Sequence, residues 1–433
     1  MNTRNLVLFG AVAALYLLTG FVESWNLTLS ILNVALLATI AALGVNMQWG
    51  YAGLFSTGVM GFTALGALSV VLVSSQPNVE NWQAGGMGIL LALILGAASV
   101  AAAVVAWGLL PKGRLRALVV AAILVGGFVL FRSIFDPAVG AVEAVNPQFA
   151  GNIGGLGLPS LVAWPVGGLL AAAAAWAIGK TALGLRSDYL AIATLGIAEI
   201  IVAVMKNEDW LARGVKNVAQ LPRPWPVPLE VELQKDPGFL DFVATWGWSP
   251  VAASTILVKL LYALLFLLVL CAVIWAFERA LNSPWGRMMR AIRDNEVAAA
   301  AMGKDVTRRH LQVFILGSAV IGFAGAMAAS MEGQLTPGSY QPLRFTFLIW
   351  VMVIVGGSGN NWGTVLGGLL IGWLYFAVEF LGPSAMAAVT SAMPDGWLKA
   401  HLVGGAEHIR LLTLGVILLL VLRFSPRGLI PEK

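Results

Sequence analysis

Apolar segments long enough to cross a bilayer recur along the whole chain, and they constrain its fold more than any other feature. A spanning helix needs about 20 mostly apolar residues. Candidate segments lie at 6–22, 27–49, 51–73, 87–110, 117–135, 157–179, 188–206, 253–277, 310–331, 343–357, 362–381 and 408–423. Inside a bilayer each segment must satisfy its own backbone polar groups, so these segments are helices. Only 11% of the 433 residues are charged, against roughly 25% in soluble domains. The expectation is therefore one all-α, polytopic membrane domain over residues 1–433, with broken or re-entrant pieces. Segments 51–73 and 343–357 are the weakest, because Gly and polar residues interrupt or shorten them. If either is re-entrant the count drops, which gives about 10–12 spans. The run 6–22 follows Arg4 with no small-x-small cleavage site after it, so it reads as an uncleaved first span.

Charge gives the segments sides. An even number of crossings puts both termini on one face. Sixteen of the 26 Lys and Arg fall on that face with six acids, and the other ten, in spans or opposite loops, accompany fifteen acids. Excess Lys and Arg mark the cytoplasmic side, so both termini are expected there. The net charge of +5 carries no nucleic-acid signal, since the cations cluster at helix ends. The lone Cys271 excludes a disulfide framework, and His310, His401 and His408 have no metal-ligand spacing.

The longest strongly charged run between two apolar segments is 278–309, closed by His310. It reads ERALNSPWGRMMRAIRDNEVAAAAMGKDVTRRH. Asp294 is a candidate N-cap, and Glu296 in the first turn suits the helix dipole. The alanine run after Val297 favours a slim helix. Gly303 is a natural stop, and Asp305 can cap the next helix. A thin capped helix outside the membrane suits a groove on a partner. An ordinary solvated loop containing some helix would carry the same residues.

Other polar interruptions stand out. Residues 41–68 read AALGVNMQWGYAGLFSTGVMGFTALGAL, in which Gly50, Gly53 and Gly58 break an apolar helix amid Asn46, Gln48, Ser56 and Thr57. Broken backbone at membrane depth is tolerated where protein buries it or where it lines a cavity, and free helix ends can then meet a solute. Small residues that merely let helices pack closely are the alternative. Thr194 and Glu199 lie within another span. An intramembrane carboxylate is a functional candidate, or else a group bonded to a neighbouring helix or lying near the outer interface. The Trp- and Pro-rich stretch 207–252 reads as an extracytoplasmic loop that either meets a partner or caps the membrane domain. Gly357, Gly359 and Gly363 fail the dinucleotide pattern because Trp362 takes the last place. AIGKT at 177–181 fails the phosphate-loop pattern because residue 174 is Ala. No nucleophile–base constellation appears, so the chain is not read as an enzyme.

Four ordered blocks resemble the branched-chain amino acid ABC-importer permease family. The stretch SPWGRMMRAIRDNEVAAAAMGKDVTRRHLQVFILGSAVIGFAGAM resembles that family's cytoplasmic loop and following span. Asn46, Gly50, Tyr51, Ala52, Gly53, Leu54, Ser56 and Gly58 occupy its N-x-x-x-G-Y-A-G-L-x-S-x-G signature. Leu185, Arg186, Asp188, Tyr189, Ala191, Ile192, Thr194 and Leu195 occupy a third block, with Ser187 where glycine is usual. The glycines of 356–368 match a fourth, with Gly368 at its final alanine. Residues 111–156 depart from the common pattern as an insertion with one or two extra spans.

The resemblance implies a coupling helix, with Asp294, Glu296, Ala299 and Gly303 at the ATPase-docking site. It implies a solute path near Asn46, Gly50, Tyr51, Gly53, Ser56 and Gly58, with Thr194 and Glu199 as further candidates. The implied partners are a second homologous permease, two ATPase subunits that carry the ATP and Mg, an extracytoplasmic solute-binding protein and membrane lipid. No cofactor or metal falls to this chain. Branched-chain amino acids are the implied cargo. A urea or short-amide permease shares most of these motifs. An ion-coupled carrier using Glu199 and a passive channel are the rivals from other classes.

Overall fold

The computed structural model describes residues 3–145, 151–185, 187–391, 393–394, 396–405 and 409–432. Arg186 and His408, singled out above, lie outside the described residues, as does part of 111–156. Among the described residues nine helices are long and apolar enough to cross a membrane. Three shorter apolar helices, Val59–Ser74, Leu343–Gly356 and Leu412–Phe424, account for the remaining expected segments. The fold is all-α and polytopic, and its two weakest predicted spans are among the three short ones.

The long helices run in chain order. Helix α1 is Thr3–Val22 and α2 is Trp25–Val45. Ser24 caps α2 by accepting the Leu27 N–H. A π-turn, Asn46–Gly50, then ends that helix, and residues 51–58 are non-helical before α3, Val59–Ser74. Next come α4, Met87–Leu109, and α5, Arg114–Val145. Helices α6, Ser160–Ala182, α7, Ser187–Asn207, and α8, Pro250–Leu281, follow. Two short helices come next, α9, Pro284–Asp294, and α10, Glu296–Ala301. The chain returns as α11, Val306–Glu332, then a π-turn Leu343–Phe347 leading into α12, Leu348–Gly356. It closes with α13, Asn361–Thr390, and α14, Ile409–Phe424.

Helix α2 is central. Its spanning window is 78% buried, against 22% for α1. It packs on α8, α11, α12 and α13, while α3 fits between α6 and α11. These helices approach so closely because small residues line the seams. A Cβ on Gly66 would overlap the Gly322 carbonyl of α11, and one on Gly325 would overlap the Thr63 carbonyl of α3. Lipid offers no hydrophobic driving force between helices, so this backbone-to-backbone fit carries the core.

The α4–α5 hairpin stands apart. Its windows are 17% and 6% buried. It meets the rest of the molecule at one end, where Phe135 sits edge-on to Trp210 with centroids 5.7 Å apart. Within 111–156 the described residues hold one long helix, α5, paired with α4; residues 151–158 then return to the end of α3 through bonds such as Leu156 N–H to Leu72 O, 3.2 Å.

The chain has two distinct ends. Arg4 donates to the Leu429 carbonyl at 3.3 Å, so both ends of the described chain share what is called here the terminal face. That face also carries 46–53, α9, α10 and the turn 357–360. The opposite, loop face carries 208–249. There a two-residue strand β1, Val218–Ala219, pairs antiparallel with β2, Gln334–Leu335.

Candidate functional site

The charged run folds as two short helices that meet at an angle. Ser283 caps α9 by accepting the Trp285 N–H, and Pro284 starts it with a preset φ. The helix is amphipathic: Met289 and Ile292 are buried, whereas Arg287 is exposed and Arg290 half-buried. Helix α10 begins at Asn295, not at Asp294 as expected. Asn295 has the extended φ of −155° that an N-cap needs, and its side chain accepts the Ala298 N–H at 2.9 Å. Asp294 is still helical, and its carboxylate takes the Arg293 guanidinium at 3.3 Å.

The far end of α10 behaves as the sequence indicates. Gly303 has φ +75°. The Lys304 N–H bonds to Ala299 O at 3.2 Å and the Gly303 N–H to Ala300 O at 2.9 Å, the paired pattern of a left-handed helix stop. Asp305 then caps α11 through the Arg308 N–H, 2.9 Å. No residue of α10 is buried. Val297 and Met302 are each 80% exposed, so this slim rod presents apolar side chains outward. Glu296 is exposed, and Ala299 is half-buried where the rod rests on the body.

The body beneath it is the broken segment. Tyr51 N–H bonds to Asn46 O at 3.1 Å, which widens the last turn of α2 into a π-turn. π-turns inside helices are rare and concentrate at functional sites. Asn46 is fully buried; its Oδ1 accepts the Gly359 N–H at 2.9 Å and its Nδ2 donates to Asn361 Oδ1 at 3.3 Å. Asn361 passes the chain on to Glu278 Oε1, 3.0 Å. A Cβ on Gly50 would collide with the Gly359 nitrogen, so the 357–360 turn can sit there only on glycine.

One side chain joins the two layers. Arg293, at the end of α9, donates to the Gly50 carbonyl and forms a 2.8 Å ion pair with Glu432. Partial burial disfavours its charge, but hydrogen bonds and ion pairs with Glu432 and then Asp294 outweigh that and hold its pKa above the ordinary guanidinium value. The tail bearing Glu432 is itself laced to the 355–360 turn, with Leu429 N–H on Val355 O and Ile430 N–H on Gly356 O, both 2.9 Å. Arg293, Glu432, Asn361 and Glu278 were not singled out by the sequence reading. Their partners lie up to 315 residues away, so no local pattern marks them.

Further along the break, Thr57 N–H donates to Thr194 Oγ1 at 3.1 Å, and its hydroxyl donates to Ala191 O at 2.6 Å. Thr346 Oγ1 donates to Thr57 O at 3.2 Å, and Trp350 Nε1 donates to Ser56 O at 3.1 Å. Asn46, Gly50, Tyr51, Ser56, Gly58 and Thr194 are therefore brought together and buried, and Gly53 lies exposed beside Arg293. The Ser56 hydroxyl is buried with no hydrogen-bond partner among the described residues. Glu199 is not part of the cluster; it is exposed on α7. Among the described residues no group of His, Cys, Asp and Glu is arranged to hold a metal ion.

A broken core helix is thus locked to an outward-facing short helix. A family model described as branched-chain amino acid transport system / permease component matches residues 138–422. The chain belongs to that family. It is 28% identical over 268 residues to the high-affinity branched-chain amino acid transport system permease protein LivM of Escherichia coli (strain K12), covering 62% of this chain and 56% of that protein. It is 26% identical over 337 residues to a probable branched-chain amino acid transport permease protein LivM of Methanocaldococcus jannaschii, 74% of this chain and 85% of that one. The ribose import permease protein RbsC of Haemophilus influenzae is 25% identical over 291 residues, 63% of this chain and 79% of its own length. The chain thus spans little more than half the length of the E. coli relative. No solved structure matches it. The family match includes α9 and α10 but begins after the broken segment 46–58.

Proposed function

We propose that this chain is the membrane-spanning permease subunit of an ATP-driven importer of branched-chain amino acids. It works by alternating access in a bacterial inner membrane, with the terminal face in the cytoplasm. The basic residues of α9, Lys304, Arg308 and Arg309 after α10, and those of the chain ends favour that orientation. Its partners are a second homologous permease, two ATPase subunits that bind the ATP and Mg, an extracytoplasmic solute-binding protein and the surrounding lipid. The chain itself carries no cofactor.

The observation that carries this reading is the Arg293 bridge. Helix α10 is exposed, slim and rigidly capped, so it can seat in an ATPase groove. Movement imposed on α10 passes into α9, and Arg293 hands it to Gly50, the last residue of the π-turn that ends α2. The 51–58 break lets the α2 end move without carrying α3 as a rigid continuation. Asp294, Glu296, Ala299 and Gly303 form or flank the docking surface. The broken segment from Asn46 to Gly58 works as a hinge beside the solute path. Its polar groups are mostly consumed by Thr194, Thr346, Trp350 and Asn361, which suits a hinge better than a solute-binding surface.

The test is to express the chain with its neighbouring transporter genes and purify through this subunit. ATPase subunits should co-purify, and leucine uptake into proteoliposomes should need ATP. Gly303→Pro should abolish both, because proline cannot adopt φ +75°. Retention of ATPase association and uptake in that variant would refute the docking role. A chain that concentrates leucine alone would be an ion-coupled carrier.

A further inference from the structure

A cavity of about 60 Å³ opens between α2, α3, α11, α12 and α13, towards the loop face. One water needs about 10–15 Å³ of such space, so it takes roughly four to six water-sized heavy atoms. That is the size of a branched aliphatic side chain. Leu37, Ala38 and Ala41 of α2, Ala328 of α11 and Leu348 of α12 make its apolar lining. Its one lining hydroxyl, Thr63, is already spent on the Val59 carbonyl.

Two charges stand at the mouth. Glu332 is the last residue of α11, and Arg344 lies in the π-turn before α12. They are 3.9 Å apart, at the outer limit of an ion pair, and each side chain is 38% exposed. Such a pair contributes roughly 0–1 kcal/mol, so little opposes its replacement by other charges. The Arg344 guanidinium lies over the Phe345 ring at 5.2 Å, and Tyr340 backs that ring with centroids 4.9 Å apart. Arg344 is thus supported from behind while its donors remain free for a planar carboxylate.

We infer that this is an entry subsite for a zwitterionic α-amino acid, and the inference rests on the importer reading above. Arg344 takes the α-carboxylate, Glu332 takes the α-ammonium, and the branched side chain fills the apolar cavity. A sugar would leave its hydroxyls unpaired there, and a urea would leave the cavity empty. The subsite also has a physical link to the drive. Helix α2 lines the cavity with Leu37 to Ala41 and ends, about 8–14 Å further on at 1.5 Å per residue, in the π-turn that Arg293 holds.

The test uses the complete transporter in proteoliposomes with an unchanged binding protein and radiolabelled leucine. If wild-type vesicles take up no leucine, the importer reading fails, and the subsite falls with it. Given wild-type uptake, Arg344→Gln should raise the KM for leucine roughly ten- to hundredfold, the worth of one charge-assisted pair. Subunit assembly should persist, and Arg344→Lys should recover part of the loss. Ala328→Leu gives an independent readout should Arg344→Gln fail to assemble: filling the cavity should shift preference from leucine towards valine and alanine. An unchanged KM in Arg344→Gln, or an unchanged size preference in Ala328→Leu, would overturn the subsite and leave the importer reading intact.

Discussion

Arg293 and Arg344 are the same residue type at opposite faces of one helical core, and their surroundings differ in kind. Arg293 is held by a carbonyl, a 2.8 Å carboxylate and a second acid, with 24% of its side chain exposed. Arg344 has a single acid at 3.9 Å and is 38% exposed. A guanidinium gripped by three protein partners fixes geometry. One whose donors are mostly unclaimed can exchange its partner for a ligand. On the proposed reading the terminal face transmits movement and the loop face accepts a zwitterionic solute, with α2 running between them.

The comparison breaks most visibly if Arg293 can be removed cheaply. Arg293→Ala leaves the Gly50 carbonyl and the Glu432 carboxylate without their donor, and it should lower stability by about 1–3 kcal/mol. Uptake should fall further than basal ATPase, since hydrolysis would be uncoupled from the α2 hinge. Arg344→Ala should stay within about 0.5 kcal/mol of wild type in the same thermal assay. Equal destabilisation by the two changes would erase the distinction between them.

A smaller effect sharpens the terminal face itself. Asn295→Ala removes the N-cap of α10 and should cost that helix about 1 kcal/mol. The expected readout is weaker ATPase association, measured by titrating purified ATPase onto the permease. Asp294→Ala, one residue earlier, should change that affinity little, because its carboxylate faces only Arg293 and solvent. The reverse order would restore Asp294 as the cap. The smallest expected effect is at Glu199, which is exposed on α7 and contacts neither arginine cluster. Glu199→Gln should leave ATP-dependent uptake within about twofold, a change worth under 1 kcal/mol. Complete loss of uptake, together with a loss of proton dependence, would support the carrier reading instead.

What could be read in the sequence was what is encoded locally. Apolar length gave the spans, and glycine and polar interruptions marked 51–73 and 343–357 as incomplete. Gly303 and Asp305 announced the end of one helix and the start of the next, because stop and cap chemistry acts within a few residues. The N-cap slipped by one, since Asp and Asn are nearly equal as caps and stand side by side. The Arg293 bridge was not legible: it joins residues 243 apart, and six other cations share its run. The loop-face cavity was equally hidden, because its mostly ordinary apolar lining is scattered over five helices. Glu199 drew notice as a lone acid in a span, yet it lies outside the network, where only a partner subunit or the interface can supply its surroundings.

The central claim is that α10 projects into the cytoplasm and meets the ATPase. Val297→Cys, on a Cys271→Ser background, places a thiol at a site 80% exposed on that helix. In the assembled transporter it should form a crosslink to an ATPase subunit, and an impermeant thiol reagent should label it only after the cells are opened. Labelling from outside intact cells, or a fully reactive thiol that never crosslinks to the ATPase, would contradict the account.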